Sequence, residues 1–164
     1  MNFLKKILNL IFGNSEQIIA DSEYAIRPIS SGYKISSDFG PRIDPITGKE
    51  NSFHYGVDFF CPEGTDVFSM YEGVVFKVGW QNQTDHSVGF GQRVWIKTIM
   101  NGKEYDHFYA HLSRLSAMKG MPVKSGTFLG QSGNTGRSTG PHLHVQLRPS
   151  DGSKKGIPIT FKDM

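Results

Sequence analysis

The segment from His142 to Arg148 alternates strictly between polar and apolar side chains, and this alternation constrains the fold more than any other feature. In an extended strand, residues two apart point to the same face of the sheet. One face of this segment therefore carries the polar side chains and the other carries the apolar ones: His142, His144, Gln146 and Arg148 against Leu143, Val145 and Leu147. The pattern predicts a β-strand that separates a polar site from a hydrophobic core.

Composition indicates that most of the chain is built from strands. Nineteen glycines and eight prolines among 164 residues, with abundant Phe, Tyr and Val, are typical of short strands joined by turns. Asn101-Gly102 is a strong hairpin signal, so residues 92–100 and 103–112 should be antiparallel neighbours. We predict one all-β domain, with further strands over 33–36, 67–70, 73–80 and 127–130 and a helical turn over 113–119.

The two ends of the chain differ from this central domain. Residues 3–12 have apolar side chains at helical spacing with Lys5 and Lys6 between them, which predicts a short amphipathic helix. Its apolar run is short for an export signal and far too short for a membrane span. We therefore predict an N-terminal helix and linker over 1–32, the domain over 33–150, and a tail over 151–164 packed on the domain. The helix has three candidate roles: docking to a protein partner, weak export signal and membrane-surface anchor.

Charge and cysteine content exclude some classes of function. The formal net charge of +3 fits attraction to anionic polymers, but ordinary surface charge explains it equally well. Basic residues do not cluster with aromatic ones, which argues against nucleic-acid binding. Cys61 is the only cysteine, so the chain forms no internal disulfide, and we expect Cys61 to be a buried apolar residue rather than a metal ligand.

Four residues in two motifs suggest a metal site. His54 and Asp58 are four residues apart and could reach one ion from a helical turn or from a strand that bends at Gly56. His142 and His144 share one strand face. Imidazole and carboxylate suit zinc, and three protein ligands leave a fourth position for water, as in catalytic zinc sites. The residues alone do not decide which histidine of the second motif binds the metal.

A third segment adds further histidines. His107, Tyr109 and His111 alternate with apolar residues, so we expect them on one polar face of a strand. Two such strands in one sheet would bring four imidazoles together. His86, in the polar loop 81–91, is expected to be an ordinary surface residue.

Six motifs, taken together, resemble the lysostaphin-type (LytM-like) zinc endopeptidases, which cut peptide cross-links in bacterial cell walls. The resemblance covers about residues 35–148, and the motifs occur in this order: 37–42 (SDFGPR), 44–48 (DPITG), 54–58 (HYGVD), 63–66 (EGTD), 109–112 (YAHL) and 133–144 (GNTGRSTGPHLH). It implies a mainly antiparallel two-sheet β fold and one zinc ion per chain. It also implies hydrolysis of a peptidoglycan peptide bond by a zinc-bound water. Gln92 and Val145-Gln146 depart from the family pattern of an Asn near position 92 and Phe-Glu after the last histidine.

The resemblance also implies roles for individual residues. His54, Asp58 and His144 match the family's metal ligands, and His111 and His142 match its paired non-ligand histidines. We expect His142 to orient or deprotonate the water and His111 to help stabilise the oxyanion, with an exchange of these roles open. His107, Tyr109 and Arg42 are weaker candidates for substrate contact, since the first two would serve equally well as structural residues.

Two other functions remain open at this stage: a non-catalytic wall-binding or regulatory module of the same fold, and a structural zinc site. We expect the protein to act at the bacterial cell wall, in the periplasm or outside the cell. Export, release on lysis and delivery as a component of a phage particle are the candidate routes. Glycine bridges and cross-links between D-alanine and a diamino acid are both candidate substrates.

Overall fold

The computed structural model describes Lys6, Leu10 and residues 24–162. Within residues 24–162 the chain forms twelve strands and no helix. The strands are β1 (Ile35–Ser37), β2 (Gly40–Arg42), β3 (Ser52–His54), β4 (Val57–Phe60), β5 (Asp66–Phe68), β6 (Gly73–Trp80), β7 (Gln92–Met100), β8 (Lys103–Ala110), β9 (Leu112–Leu115), β10 (Pro122–Val123), β11 (Phe128–Ser132) and β12 (His142–Pro149).

The strands form three sheets, in which neighbouring strands are antiparallel. Seven strands lie in the order β1-β4-β12-β8-β7-β6-β10, three lie in the order β5-β11-β9, and β2 pairs with β3. The prediction of a mainly antiparallel all-β domain is confirmed. The predicted N-terminal helix falls on residues outside the described part of the chain, apart from Lys6 and Leu10, which are helical.

The β7–β8 hairpin forms at Asn101-Gly102, as predicted. Both turn residues have positive φ, 49° for Asn101 and 73° for Gly102, which is the combination that a two-residue hairpin turn of the primed type requires. Met100 pairs with Lys103, so the two strands run directly into the turn.

The helical turn predicted over 113–119 is wrong. Leu112–Leu115 is instead strand β9, which pairs with β11. The pairing satisfies backbone hydrogen bonds and buries Leu112 completely, so tertiary packing overrides the local preference.

The hydrophobic core lies between the seven-stranded and three-stranded sheets. Leu143, Val145 and Leu147 of β12 face it, as their alternation predicts, and they pack in one cluster with Val67 of β5 and Leu129 of β11. Cys61 is fully buried in the same cluster, as expected.

Segments near both ends of the described chain also enter this core. Ala25 and Ile29 are buried, although the sequence predicts only a helix and a linker over residues 1–32. The backbone N–H of Ala25 donates to the Thr160 carbonyl at 2.8 Å, and the Phe161 ring meets the Phe59 ring edge-on at 5.4 Å. Residues 24–32 therefore stabilise the domain because they supply apolar side chains to its core.

The polar residues of β12 lie on the opposite, outer face of the large sheet. There His144 is directly opposite Asp58 of β4, and it is also opposite Ala110 of β8. In the described part of the chain, no helix is long and apolar enough to cross a membrane.

Candidate metal centre

A bend at Gly56 brings His54 and Asp58 to the same point. His54 ends β3, and Asp58 is the second residue of β4, so the bent-strand alternative of the sequence analysis is the one found. Gly56 packs directly against β12: an added Cβ would lie 2.3 Å from the Val145 carbonyl oxygen and 2.5 Å from Cε1 of His144. Only a glycine allows this close approach without displacing the histidine.

Three electron-pair donors converge at this bend. Oδ1 of Asp58 lies 2.7 Å from Nδ1 of His144 and 3.2 Å from Nε2 of His54, and the two nitrogens are 3.1 Å apart. All three residues are buried. Ligand atoms bound about 2.0–2.1 Å from one tetrahedral zinc ion lie about 3.3 Å apart, close to the observed spacing.

The hydrogen-bond partners of His54 test whether a cation fits between these donors. Nδ1 of His54 lies 2.9 Å from the carbonyl oxygen of Asp38, which can only accept, so Nδ1 carries the ring proton. In the neutral ring, Nε2 therefore directs a lone pair at the Asp58 carboxylate. Two lone pairs at 3.2 Å repel unless a cation or proton lies between them, so the residues present fit a divalent metal such as zinc.

The guanidinium of Arg42 holds the remaining oxygen of Asp58. Its Nη1 donates to Asp58 Oδ2 at 3.0 Å and to Ser37 Oγ at 2.6 Å. Burial alone would raise the pKa of the Asp58 carboxyl group, but the adjacent imidazoles of His144 and His54 outweigh it and hold this pKa well below its usual value. The carboxylate is therefore ionised and oriented toward the cluster.

His142 and His111 lie beside the three donors. Nε2 of His142 is 4.0 Å from Asp58 Oδ1, and the rings of His111 and His142 are 4.6 Å apart. Nδ1 of His142 donates to the Gly140 carbonyl at 2.8 Å, and Nδ1 of His111 donates to the Thr135 carbonyl at 2.6 Å. In the neutral form, each ring therefore has an unprotonated Nε2.

Burial also determines the charge of His111 and His144. It lowers the pKa of His111 to about 3, with the proximity of His142 and His144 adding to the effect. Burial likewise lowers the pKa of His144, despite its hydrogen bond to Asp58. Both imidazoles are therefore neutral near pH 7, which suits metal binding at His144 and leaves Nε2 of His111 able to accept a hydrogen bond.

The structure separates His111 from His107 and Tyr109, which the sequence analysis placed on one face. His111 has φ of 60°, which ends β8 at Ala110 and turns the His111 ring to the outer face of the sheet. His107 and Tyr109 stay in register with Leu147 and Val145 and point into the core.

The expectation that His107 and Tyr109 contact substrate is corrected by their burial. Both are fully buried, and Nδ1 of His107 lies 2.9 Å from the Tyr109 hydroxyl, which also accepts the Met70 backbone N–H. They are therefore structural residues of the core. His86 is exposed, as expected, and stacks on Trp80.

Sequence reasoning missed the groups that orient these histidines. Three are backbone carbonyls, of Asp38, Gly140 and Thr135, and no side-chain pattern reports a carbonyl. The fourth is Phe90, whose ring stacks on His144 with centroids 5.5 Å apart and whose carbonyl accepts the His111 N–H. Its position in a polar loop, next to two glycines, was the one available signal.

The three donor residues, together with His111 and His142, line a cavity of about 840 Å³ on the outer face of the large sheet. Arg42, the third substrate-contact candidate, lines it. The other walls come from the loop after β2, from Gln81, Gly89 and Phe90, and from residues 137–141. An extended peptide therefore has access to the candidate metal centre.

Comparison with known proteins agrees with this geometry. Residues 52–157 match Peptidase family M23. The chain is 40% identical over 137 residues to the peptidoglycan DD-endopeptidase ShyA of Vibrio cholerae serotype O1, which covers 80% of this chain and 30% of ShyA. It is 37% identical over 116 residues to the glycyl-glycine endopeptidase ALE-1 of Staphylococcus capitis, covering 71% of this chain and 29% of ALE-1.

A solved structure supports the same relationship. The catalytic domain of the antimicrobial peptidase lysostaphin from Staphylococcus simulans superimposes with a TM-score of 0.64 at 36% identity, covering 77% of this chain and 89% of that domain. The chain thus spans about 30% of the length of the two curated relatives but nearly all of one catalytic domain. On its sequence, its fold and the residues at its centre, the chain belongs to peptidase family M23.

Proposed function

We propose that this chain is a zinc-dependent endopeptidase that hydrolyses peptide cross-links or bridges of bacterial peptidoglycan. The observation that carries the proposal is the convergence of Nε2 of His54, Oδ1 of Asp58 and Nδ1 of His144, with two further imidazoles beside them in one open cavity. The relatives described above, named as peptidoglycan or glycyl-glycine endopeptidases, support the same substrate class.

We assign His54, Asp58 and His144 as the ligands of one zinc ion. Two imidazoles and one carboxylate form a donor set that leaves a coordination position free in catalytic zinc sites. When bound, zinc would polarise the scissile carbonyl and lower the pKa of water to about 7. Arg42 acts through Asp58, because its Nη1 fixes the second carboxylate oxygen, and it lines the cavity, where it can contact substrate.

His142 and His111 are the proposed catalytic pair. The unprotonated Nε2 of each can accept a proton from the attacking water, and the resulting N–H can then donate to the oxyanion or to the leaving amine. Burial makes an extra proton costly on His111. We therefore assign acceptance of the first proton from the attacking water to His142, which is less buried. His111 would accept a hydrogen bond that orients the water, and it would donate to an oxyanion only when protonated.

The place of action follows from the proposed substrate. Peptidoglycan lies outside the cytoplasmic membrane, so the protein would act in the periplasm or outside the cell. A membrane-surface or protein partner for residues 3–12, and delivery by export, by lysis or in a phage particle, stay predictions because they depend on residues outside the described part of the chain.

Loss and recovery of lytic activity with metal tests this proposal. Purified chain is incubated with dye-labelled sacculi before chelation, after chelation and after stoichiometric zinc is returned, and mass spectrometry identifies the new peptide termini. We expect release of fragments to fall at least a hundredfold on chelation and to return with zinc.

Two outcomes would contradict it. Zinc bound at one equivalent without release of fragments from several wall types would favour a structural zinc site. Binding to sacculi with neither zinc nor cleavage would favour a non-catalytic wall-binding module.

A further inference from the structure

We infer that the cavity selects cross-links between D-alanine and a diamino acid that carries a free carboxylate, as in diaminopimelate, over glycine bridges. The inference rests on the proposed function, because it names the bond that the same site would cleave. Two properties of the cavity carry it: an apolar rim beside the candidate catalytic histidines, and the ammonium group of Lys154, which forms no ion pair with a described residue.

The apolar rim consists of large side chains that are exposed although they are hydrophobic. Phe60 is 69% exposed, Ile43 is 63% exposed and Ile46 is 44% exposed, and all three line the cavity. Single exposed apolar residues are common on proteins, but several around one cavity mark a surface that is covered when a ligand binds.

Phe60 lies next to the proposed chemistry. It is directly opposite His142 in the β4–β12 pairing, so the two side chains are neighbours on the outer face of the sheet. A D-alanine methyl group or the alkyl chain of a diamino acid would bury part of this ring. A glycine has no side chain to place there, so the rim gives a glycine bridge no apolar contact.

Hydrogen bonds hold the opposite part of the rim in place. Oδ1 of Asp44 accepts the backbone N–H groups of Ile46 and Thr47 at 2.9 Å each. The Asp44 carboxylate also pairs with Arg137 of the loop after β11, with both oxygens 2.9 Å from Nη2. Ile43 and Ile46 are therefore part of a preorganised wall, which favours their use as a contact surface.

The charged residues that line the cavity are mostly basic. Arg42, Arg137 and Lys154 line it, and Asp58 is the one acidic residue among its lining residues. Asp58 is already paired with Arg42 and lies against the histidines, and Arg137 is already paired with Asp44. Among the described residues, no carboxylate forms an ion pair with the exposed ammonium of Lys154.

This charge distribution discriminates between the two substrates. In a diaminopimelate cross-link, a free carboxylate is attached to the carbon next to the scissile amide nitrogen. The interior of a glycine bridge carries no charge. The Lys154 ammonium group would therefore attract and orient the first substrate, and it would have no complementary group in the second.

Soluble cross-linked muropeptide dimers test the inference without the influence of wall architecture. The zinc-loaded full chain is assayed on dimers joined through diaminopimelate and on dimers joined through a pentaglycine bridge. We expect kcat/KM at least tenfold higher on the first. Phe60→Ala should lower kcat/KM on the first dimer about tenfold, and Lys154→Gln should raise KM about threefold, an effect that salt weakens.

Matched controls isolate the rim. Phe128→Ala removes another exposed phenylalanine, and Lys119→Gln removes another exposed lysine, and neither residue lines the cavity. Both should retain the wild-type rate on each dimer.

The outcomes separate this inference from the proposed function. Equal or faster cleavage of the glycine-bridged dimer would overturn the inference and leave the endopeptidase proposal standing. Cleavage of neither dimer by the zinc-loaded chain would overturn the endopeptidase proposal itself. A preference that persists in both Phe60→Ala and Lys154→Gln would overturn the assignment to these residues.

Discussion

At the scale of single residues, His142 separates metal binding from catalysis. Its Nδ1 donates to the Gly140 carbonyl and its Nε2 faces Asp58 at 4.0 Å, outside the cluster of the three proposed ligands. We expect His142→Ala to bind one zinc per chain and to lose a factor of about 10²–10⁴ in kcat, since general base catalysis contributes that much. Metal analysis and turnover of a muropeptide dimer measure the two effects.

Two further variants serve as controls for this result. His86→Ala removes an exposed histidine that does not line the cavity, so it should leave both zinc content and kcat unchanged. Asp58→Ala should lose zinc and activity together, because it removes a ligand. Cleavage by His142→Ala at the wild-type rate would contradict the assignment of His142 as the general base.

The residues of the site were largely predictable, but their orientation was not. Spacing and the order of motifs singled out the five residues that now lie around the cavity. The predicted alternation is wrong at His111, because the positive φ of His111 moves its ring to the opposite face of the sheet from the ring of His107. No sequence rule predicts that a histidine adopts a left-handed backbone conformation.

At the scale of elements, the β3–β4 bend sets the distance between the proposed ligands His54 and Asp58. A Cβ at Gly56 would lie 2.3 Å from the Val145 carbonyl oxygen and 2.5 Å from the His144 ring. We expect Gly56→Ala to lower the free energy of unfolding by about 1–3 kcal/mol and to weaken zinc binding, because His144 must move. Urea unfolding of the zinc-free chain and competitive titration of zinc measure these changes.

The matched control for this substitution is Gly32→Ala. The nearest atom to an added Cβ there is Ser30 Oγ at 4.0 Å, so both properties should stay close to wild type. Equal stability and equal zinc affinity for Gly56→Ala and Gly32→Ala would show that the bend tolerates a side chain.

Strands with a local signal were predictable, whereas strands defined by their partners were not. The β7–β8 hairpin follows from alternation and from Asn101-Gly102. β9 has no comparable signal, because its identity depends on β11, which follows it by more than ten residues.

At the scale of the whole molecule, the fully buried His107 makes stability depend on pH. Burial lowers the pKa of His107 to about 3, whereas the unfolded chain protonates it near 6.5. Between these values the unfolded state binds more protons, so stability falls as pH falls below 6.5. We expect His107 to contribute a loss of roughly 2 kcal/mol between pH 7 and pH 5.

The measurement compares pH slopes rather than absolute stabilities. Urea unfolding of zinc-free wild type and of His107→Phe is followed from pH 7 to pH 5. The variant keeps an aromatic ring against Tyr71 but does not titrate, so its slope should be shallower. Parallel slopes would mean that burial does not lower the pKa of His107 in the folded state.

The adjacency of residues 25 and 161 has a consequence for larger assemblies. Ala25 forms backbone hydrogen bonds with Thr160 and Lys162 at 2.8 Å each, so the two ends of the described segment 24–162 lie side by side. A peptide segment or a second module attached before Ala25 would therefore be tethered beside one attached after Lys162. Such attachments could be exchanged between the two positions while their anchoring point on the surface stays nearly the same.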